Sequence, residues 1–248
     1  MRVAALYDIH GNLPALDAVL DDVRRAGVDR IVIGGDVVPG PMSWEALERL
    51  RAIDLPMDCI MGNGDREVLA HRAGLENAAL PAQVREALRW SAAQLDDELA
   101  RWMAAWPATL RMGMPGLGDV LFCHATPRSD TEIVTRLTRD AHVTAILEGA
   151  EASVVVCGHT HMQFDRRVGR VRLVNAGSVG MPSGESGAYW LLLGPDVERR
   201  HTSYDIGAAA EQIRGTDYPE SKDFAERHVL HPMAERAMLD LLATADSR

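Results

Sequence analysis

Asp8-x-His10, Gly35-Asp36, Asn63-x-Asp65, His124 and His159-x-His161 lie far apart in the chain, yet each follows a short apolar run. Residues 3–7 precede Asp8, Arg30–Ile33 precedes Gly34-Gly35-Asp36, and residues 57–61 precede Gly62-Asn63-Gly64-Asp65. Residues 119–123 precede His124, and 153–157 precede Gly158-His159-Thr160-His161. In open α/β sheets, ligands bind outside the carboxyl ends of strands. The pattern therefore predicts one sheet edge carrying carboxylates, an amide and imidazoles. A carboxylate such as Asp36 can bridge two cations, and mixed nitrogen and oxygen ligation suits Mn, Fe, Zn, Co or Ni. Two such ions about 3.5–4 Å apart hold a hydroxide and clamp the oxygens of a phosphoryl group. Each motif alone has a blander reading. Asp-x-His at a strand end is common, Gly-Gly-Asp is usually a turn, and Asn-Gly marks turns because both residues tolerate positive φ. Their conjunction at successive strand ends argues for a site.

The elements that must position these residues are legible in outline. Apolar runs at 3–7, Arg30–Ile33 and 57–61 alternate with amphipathic stretches at Leu13–Ala26 and 44–53. Asn12 reads as the N-cap of the first helix, Pro14 falls in its first turn, and Ser43 reads as the cap of the second. Strand–helix alternation implies a parallel sheet with helices on its faces. Residues 66–106 read as helical throughout, broken at Pro81, and form a cap-like insertion. Further strands are predicted at 109–112, 119–123, 153–157, 163–168, 171–174 and Ala188–Leu193, with a hairpin at Gly169-Arg170. A helix covers 143–147, and the chain beyond Tyr204 reads as helical and polar, with a frayed end.

Bulk properties narrow the classes. The chain has 248 residues, 47% hydrophobic, enough for a sizeable core. Its net charge of −10 argues against adhesion to nucleic acid or anionic membrane, and no Lys/Arg stripe interleaved with aromatics offsets it. Cys59, Cys123 and Cys157 sit in or beside apolar runs and read as buried thiols. The first carboxylate comes too early for a signal peptide, and no apolar run approaches the roughly 20 residues of a membrane span. A cytoplasmic location is the expectation. There is no P-loop and no nucleophile elbow. Trp90, Trp102 and Trp106 read as packing residues, and His71, His142, His201, His228 and His231 have no patterned partners.

These motifs resemble the ordered motifs of the calcineurin-like metallophosphoesterases. Asp8-Ile9-His10-Gly11-Asn12-Leu13, Val38-Pro39-Gly40-Pro41, Asn175-Ala176-Gly177-Ser178-Val179-Gly180-Met181-Pro182 and Tyr204-Asp205 resemble their small bacterial and archaeal phosphodiesterase-like branch, over roughly residues 1–214. The resemblance implies a single domain over 1–248, an α/β four-layer α/β/β/α sandwich with a helical insertion at about 66–106 and C-terminal helices at about 205–248. It implies one metal held by Asp8, His10, Asp36 and His161, and a second by Asp36, Asn63, His124 and His159, with Mn favoured. The implied reaction is hydrolysis of a small phosphorylated substrate by a metal-bound hydroxide.

The resembling family usually has histidine where this chain has Gly64. That histidine stabilises charge or protonates the leaving oxygen, oriented by the following aspartate, here Asp65. General acid catalysis contributes roughly 10²–10⁴-fold, and its loss matters least for a weakly basic leaving group. The expectation is a hydrolase of phosphodiesters or activated phosphate esters, slow on alkyl monoesters, whose activity on poor leaving groups rises with Gly64→His. Asp36, Asn63, Asp65 and Arg66 are the candidate catalytic residues, Arg66 as a contact to substrate phosphate or as a surface ion pair. The alternative is a weak or inactive binding or scaffold protein on the same fold.

Overall fold

A computed structural model describes residues 1–245. It begins β1 (Val3–Leu6), α1 (Leu13–Ala26), β2 (Arg30–Ile33), α2 (Ser43–Arg51) and β3 (Met57–Cys59). Three helices follow, α3 (Asn63–Arg72), α4 (Ala82–Gln94) and α5 (Asp97–Ala104). Then come β4 (Thr109–Met114), β5 (Gly118–Cys123), α6 (Asp140–Ile146), β6 (Val154–Cys157), β7 (Phe164–Val168) and β8 (Val171–Asn175). β9 (Ala188–Leu193), β10 (Val197–Thr202), α7 (Ile206–Arg214), α8 (Ser221–Phe224), a π-helical turn (Ala225–Leu230) and α9 (Glu235–Ala245) complete it.

Two five-stranded mixed sheets form, ordered β10-β9-β1-β2-β3 and β4-β5-β6-β8-β7. Alternation along a strand sends successive side chains to opposite faces. Val3, Ala5 and Tyr7 thus join Val32, Phe122, Val156 and Leu191 in a core between the sheets, and the Tyr7 hydroxyl donates to the Val156 carbonyl at 3.2 Å. Ala4, Leu6, Ile31 and Ile33 face outward onto α1 and α2. On the far side, Leu121, Cys123 and Val155 pack on Val143 and Ile146 of α6. Helix, sheet, sheet and helix make the four-layer α/β/β/α sandwich.

The 66–106 block contributes Leu88, Leu99, Met103 and Trp106 to the same outer core as α1 and α2. The C-terminal helices form a further cluster in which Ala209, Ile213, Tyr218 and Phe224 meet Met42 and Ala87. Residues 246–248 of the expected C-terminal extension, and with them its frayed end, lie outside the described residues.

Three local expectations are corrected. Ser43 is the first residue of α2, not its cap, and its hydroxyl donates to the Gly40 carbonyl at 2.8 Å. The helix after β3 starts at Asn63, not Arg66, because the Asp65 carboxylate accepts from the Gly62 N–H at 3.0 Å and stabilises a helix start there. β10 has no counterpart among the strands predicted from the sequence. Its Val-Glu-Arg-Arg-His-Thr sequence is polar because it is an edge strand, and edges are commonly charged.

Candidate metal centre

β1, β2 and β3 end in one sheet and β5 and β6 in the other, but their carboxyl ends meet across the inner core. The His159 N–H donates to Asp8 Oδ2 at 2.9 Å, and the Gly158 N–H to the His124 carbonyl at 2.7 Å. Asp8, His10, Asp36, Asn63, His124, His159 and His161 therefore converge from segments distant in sequence. Asp8 and His124 are essentially buried, as is Asp36.

Each carboxylate spends one oxygen on the scaffold and aims the other inward. Asp8 Oδ2 takes the His159 N–H, while its buried Oδ1 accepts no hydrogen bond although His161 Nε2 is 3.3 Å away. Asp36 Oδ1 takes the Gly64 N–H at 2.7 Å, while Oδ2 lies 3.4 Å from His124 Nε2 and 3.8 Å from His10 Nε2. Asp36 therefore stands between two histidines of different loops. Gly62 lies alongside it, where a Cβ would come within 2.2 Å of Asp36 Oδ1.

The histidines are oriented by carbonyls. His10 Nδ1 faces the Pro39 carbonyl at 3.3 Å, His161 Nδ1 the Met181 carbonyl at 2.8 Å, and His124 Nδ1 the Gly34 carbonyl at 2.9 Å. A carbonyl only accepts, so these contacts put the proton on Nδ1 of a neutral ring and leave the Nε2 lone pair facing inward. His10 Nε2 and His161 Nε2 then oppose each other at 3.2 Å. Nearby, Asn63 Oδ1 lies 3.1 Å from His124 Nε2, with His159 Nδ1 at 3.0 Å and the Asp130 carbonyl at 3.1 Å from the same position. Acceptors facing acceptors are satisfied either by added protons, by an inverted Asn63 amide, or by cations between them. The donor set and its orphaned oxygen fit divalent cations of the Mn, Fe or Zn type. Among the described residues, Asp8, His10 and His161, and Asp8, Asp36 and His124, form the two groups whose ligand atoms converge closely enough to hold an ion.

The charges follow the same geometry. Burial would raise the Asp36 carboxyl, but His124, His10 and His159 hold it below the usual carboxylate range. Burial likewise opposes ionisation of Asp8, and His161 and His124 overcome it. His124 is raised to about 10 despite burial, by Asp36 and Asp8, and His161 is raised by Asp8. His10 is lowered to about 4 by burial and by His161, and His159 is lowered by burial and by His124.

The backbone is strained where the site is built. Asp8, His10, Asp36, His159 and His161 all have left-handed φ, between 47° and 66°. The only other such non-glycine among the described residues is Glu151. Each such conformation costs of order 1–3 kcal/mol and persists where surroundings over-determine it. Here Ser178 Oγ donates to the Asp8 carbonyl at 2.8 Å, and Asn175 Nδ2 donates to the Gly158 carbonyl at 2.6 Å.

The candidate catalytic residues Asp65 and Arg66 make the following contacts. Asp65 is fully buried and accepts from the backbone N–H groups of Asp36 (2.8 Å), Val38 (3.1 Å) and Gly62 (3.0 Å). It thus braces the loops that carry Asp36 and Asn63. Burial and the Asp36 charge raise its carboxyl to about 7 against the Val38 and Gly62 N–H donors and His124. Arg66 is exposed and bonds Asp130 and Glu67, each at 2.7 Å, as the ion-pair reading expected. At Gly64 an added Cβ would meet the Val38 carbonyl oxygen at 2.6 Å and Pro39 Cδ at 2.9 Å. The backbone thus fills the space a side chain needs, so Gly64→His requires the Val38–Pro39 segment to shift.

One residue without a sequence pattern proves to be near the site. His228, on the π-helical turn, shares a cleft with His10, and burial with the nearby His161 and His10 lowers it to about 3. No spacing signal links the two segments, so only folding joins them.

A family profile, that of the calcineurin-like phosphoesterase superfamily domain, matches residues 1–196. An uncharacterized protein of Methanocaldococcus jannaschii is 28% identical over 238 residues, or 88% of this chain and 94% of that protein. A symmetrical bis(5′-nucleosyl)-tetraphosphatase of Pseudomonas syringae pv. tomato is 36% identical over 105 residues, only 42% of this chain and 34% of the tetraphosphatase. Among solved structures, a metallophosphoesterase from Sphaerobacter thermophilus matches with TM-score 0.72 and 26% identity over 92% of this chain and 97% of that one. A hypothetical protein from Pyrococcus horikoshii matches with TM-score 0.77 and 21% identity, over 94% and 99% of the two chains, and shares the fold.

Proposed function

This chain belongs to the calcineurin-like phosphoesterase superfamily, and from that premise we propose that it is a dinuclear metal-dependent hydrolase of phosphodiesters or activated phosphate esters. One observation carries the reading. With the rings neutral, the imidazole lone pairs, the Asn63 amide and the inner oxygens of Asp8 and Asp36 converge on one another, and the buried Asp8 Oδ1 accepts no hydrogen bond. In the proposed assignment, Asp8, His10, Asp36 and His161 hold one cation, and Asp36, Asn63, His124 and His159 hold the other, with Asp36 shared and Mn favoured. When bound, such ions supply Lewis-acid charge to phosphoryl oxygens and lower the pKa of water.

The chain's own residues do the rest. Carbonyls of Gly34, Pro39 and Met181 fix the imidazole orientations, and Asp65 holds the two loops in register. Gly64 brings its N–H, not a proton-donating side chain, to the centre. That favours esters whose leaving group needs no proton. The tetraphosphatase likeness brings phosphoric anhydrides such as dinucleoside polyphosphates within the proposed class. The whole chain acts as one domain in this reading, and its free thiols Cys59, Cys123 and Cys157 suit the cytoplasm.

Gly64 also favours a second reading, a binding protein that performs no chemistry. Hydrolysis of bis(p-nitrophenyl) phosphate and of an alkyl monophosphate, with and without Mn, separates the two. The expected result is Mn-dependent turnover of the diester, much slower turnover of the monoester, and a drop for Asp36→Ala or Asn63→Ala beyond the roughly 10–100-fold that outer-shell losses cause. Circular dichroism checks that the variants stay folded. A preference for the alkyl monoester sinks the diester reading, and no turnover with any divalent metal sinks the hydrolase.

A further inference from the structure

Beside His10, a cleft of about 250 Å³ separates α4 from the C-terminal segment. Ala87 forms one wall, and Met181, Tyr218 and Phe224 form the others. The rings meet edge to face, with centroids of Tyr218 and Phe224 6.3 Å apart and those of Phe224 and His228 5.2 Å apart. His228 sits on the π-helical turn Ala225–Leu230, a rare geometry that occurs often at functional sites. Glu220 and Asp223 also line the cleft, whereas among the described residues no lysine or arginine does.

We propose that this cleft is the organic-group subsite of the centre, receiving a neutral aromatic substituent of the phosphoester between Ala87 and the wall made by Phe224 and His228. The proposal rests on the phosphoesterase reading above, because the phosphoryl group must lie at His10 for its substituent to enter the cleft. Three features select the occupant. An apolar cavity of about 150 Å³ holds benzene, so the space here admits one substituted ring or a bicycle. The rings present edges and faces suited to stacked or T-shaped contact. Glu220 disfavours a second phosphate, and Asp223, paired with Arg227 at 2.8 Å, offers it no cation, so a polyphosphate tail does not run this way.

The test measures binding apart from turnover. Isothermal calorimetry on the Mn-loaded protein compares diphenyl phosphate with dimethyl phosphate, which differ only in the substituent. The expected preference for diphenyl phosphate is at least about tenfold, the scale at which apolar pockets discriminate. His228→Ala removes part of one wall, and Ala87→Phe fills the cleft from the opposite side. Both are expected to bring the ratio close to one, with melting curves confirming that each variant is folded. A ratio near one in the unaltered protein, or a ratio retained in either variant, overturns the subsite. Hydrolysis of bis(p-nitrophenyl) phosphate on the same preparations keeps the two claims apart. Selective binding without turnover rejects the hydrolase and keeps the subsite, whereas turnover without selectivity rejects the subsite alone.

Discussion

Asn63 turns its amide toward His124 and His159, and Gly64 beside it presents only backbone. The two adjacent residues thus divide the work of the strand end. In the proposed assignment Asn63 supplies an uncharged donor atom, and Gly64 lets its N–H approach Asp36 at 2.7 Å. Because a Cβ at Gly64 collides with the Val38 carbonyl, Gly64→His is expected to push the Asp36 loop outward. Overpacking of this kind costs typically 1–3 kcal/mol, so about that loss of stability is expected, together with lower turnover of bis(p-nitrophenyl) phosphate. Thermal melts and initial rates check it, and an unchanged melt with faster turnover of an alkyl ester would show that the loop yields at no cost. Asp65 is legible as chemistry but serves as a brace, since its three backbone donors engage both carboxylate oxygens.

At the scale of elements, the loop after β8 sets the geometry of the centre without touching an ion. Ser178 Oγ donates to the Asp8 carbonyl and accepts from the Met181 N–H at 2.7 Å, and the Met181 carbonyl orients His161. Ser178→Ala removes one of the links between β1 and this loop and leaves the Met181 N–H without its acceptor, while the Val179 and Gly180 N–H groups still donate to the Tyr7 and Asp8 carbonyls. Loss of a buried hydrogen bond costs about 1–3 kcal/mol when a partner is left unpaired. An outer-shell change of this kind is expected to weaken Mn binding by roughly 10–100-fold. Calorimetric titration with Mn measures it, and unaltered affinity would mean that neighbouring contacts alone hold the strained Asp8. β10 carries a similar lesson in packing: Thr202 accepts from the buried Trp190 indole at 3.0 Å, so a strand with little apolar content is still required.

Across the whole molecule, the centre joins two sheets, so ion binding is expected to raise the stability of the entire sandwich. A ligand at 100 times its Kd adds about 2.7 kcal/mol, and at about 2–4 °C per kcal/mol for a chain of this size the melting temperature rises by roughly 5–11 °C. The pH dependence has a definite sign. Without metal, His124 is raised from 6.5 to about 10, so its contribution to stability is full below 6.5 and is lost as pH rises through 10. Metal must displace that proton, so the gain from Mn is smaller at pH 6 than at pH 8. Differential scanning calorimetry with and without Mn at the two pH values tests this. An equal gain at both would show that no proton is exchanged.

The sequence by itself determined which candidate ligand types stand at which strand ends, because strand and helix periods are local and mark where each apolar run must end. Asp8, His10, Asp36, Asn63, His124, His159 and His161 could be named on that ground, whereas periodicity alone implied one parallel sheet, and the two-sheet sandwich followed only from the family resemblance. Tertiary structure alone decided the rest. Left-handed φ at Asp8, His10, Asp36, His159 and His161 is invisible in residue type, since none of them is glycine and the strain is held by Ser178, Asn175 and their neighbours. Nor could residue type show that Val38 and Pro39 occupy the space beside Gly64, or that His228 returns to His10 from the far end of the chain. Each of these depends on contacts between distant segments, which come into existence only when the two sheets and the C-terminal helices pack.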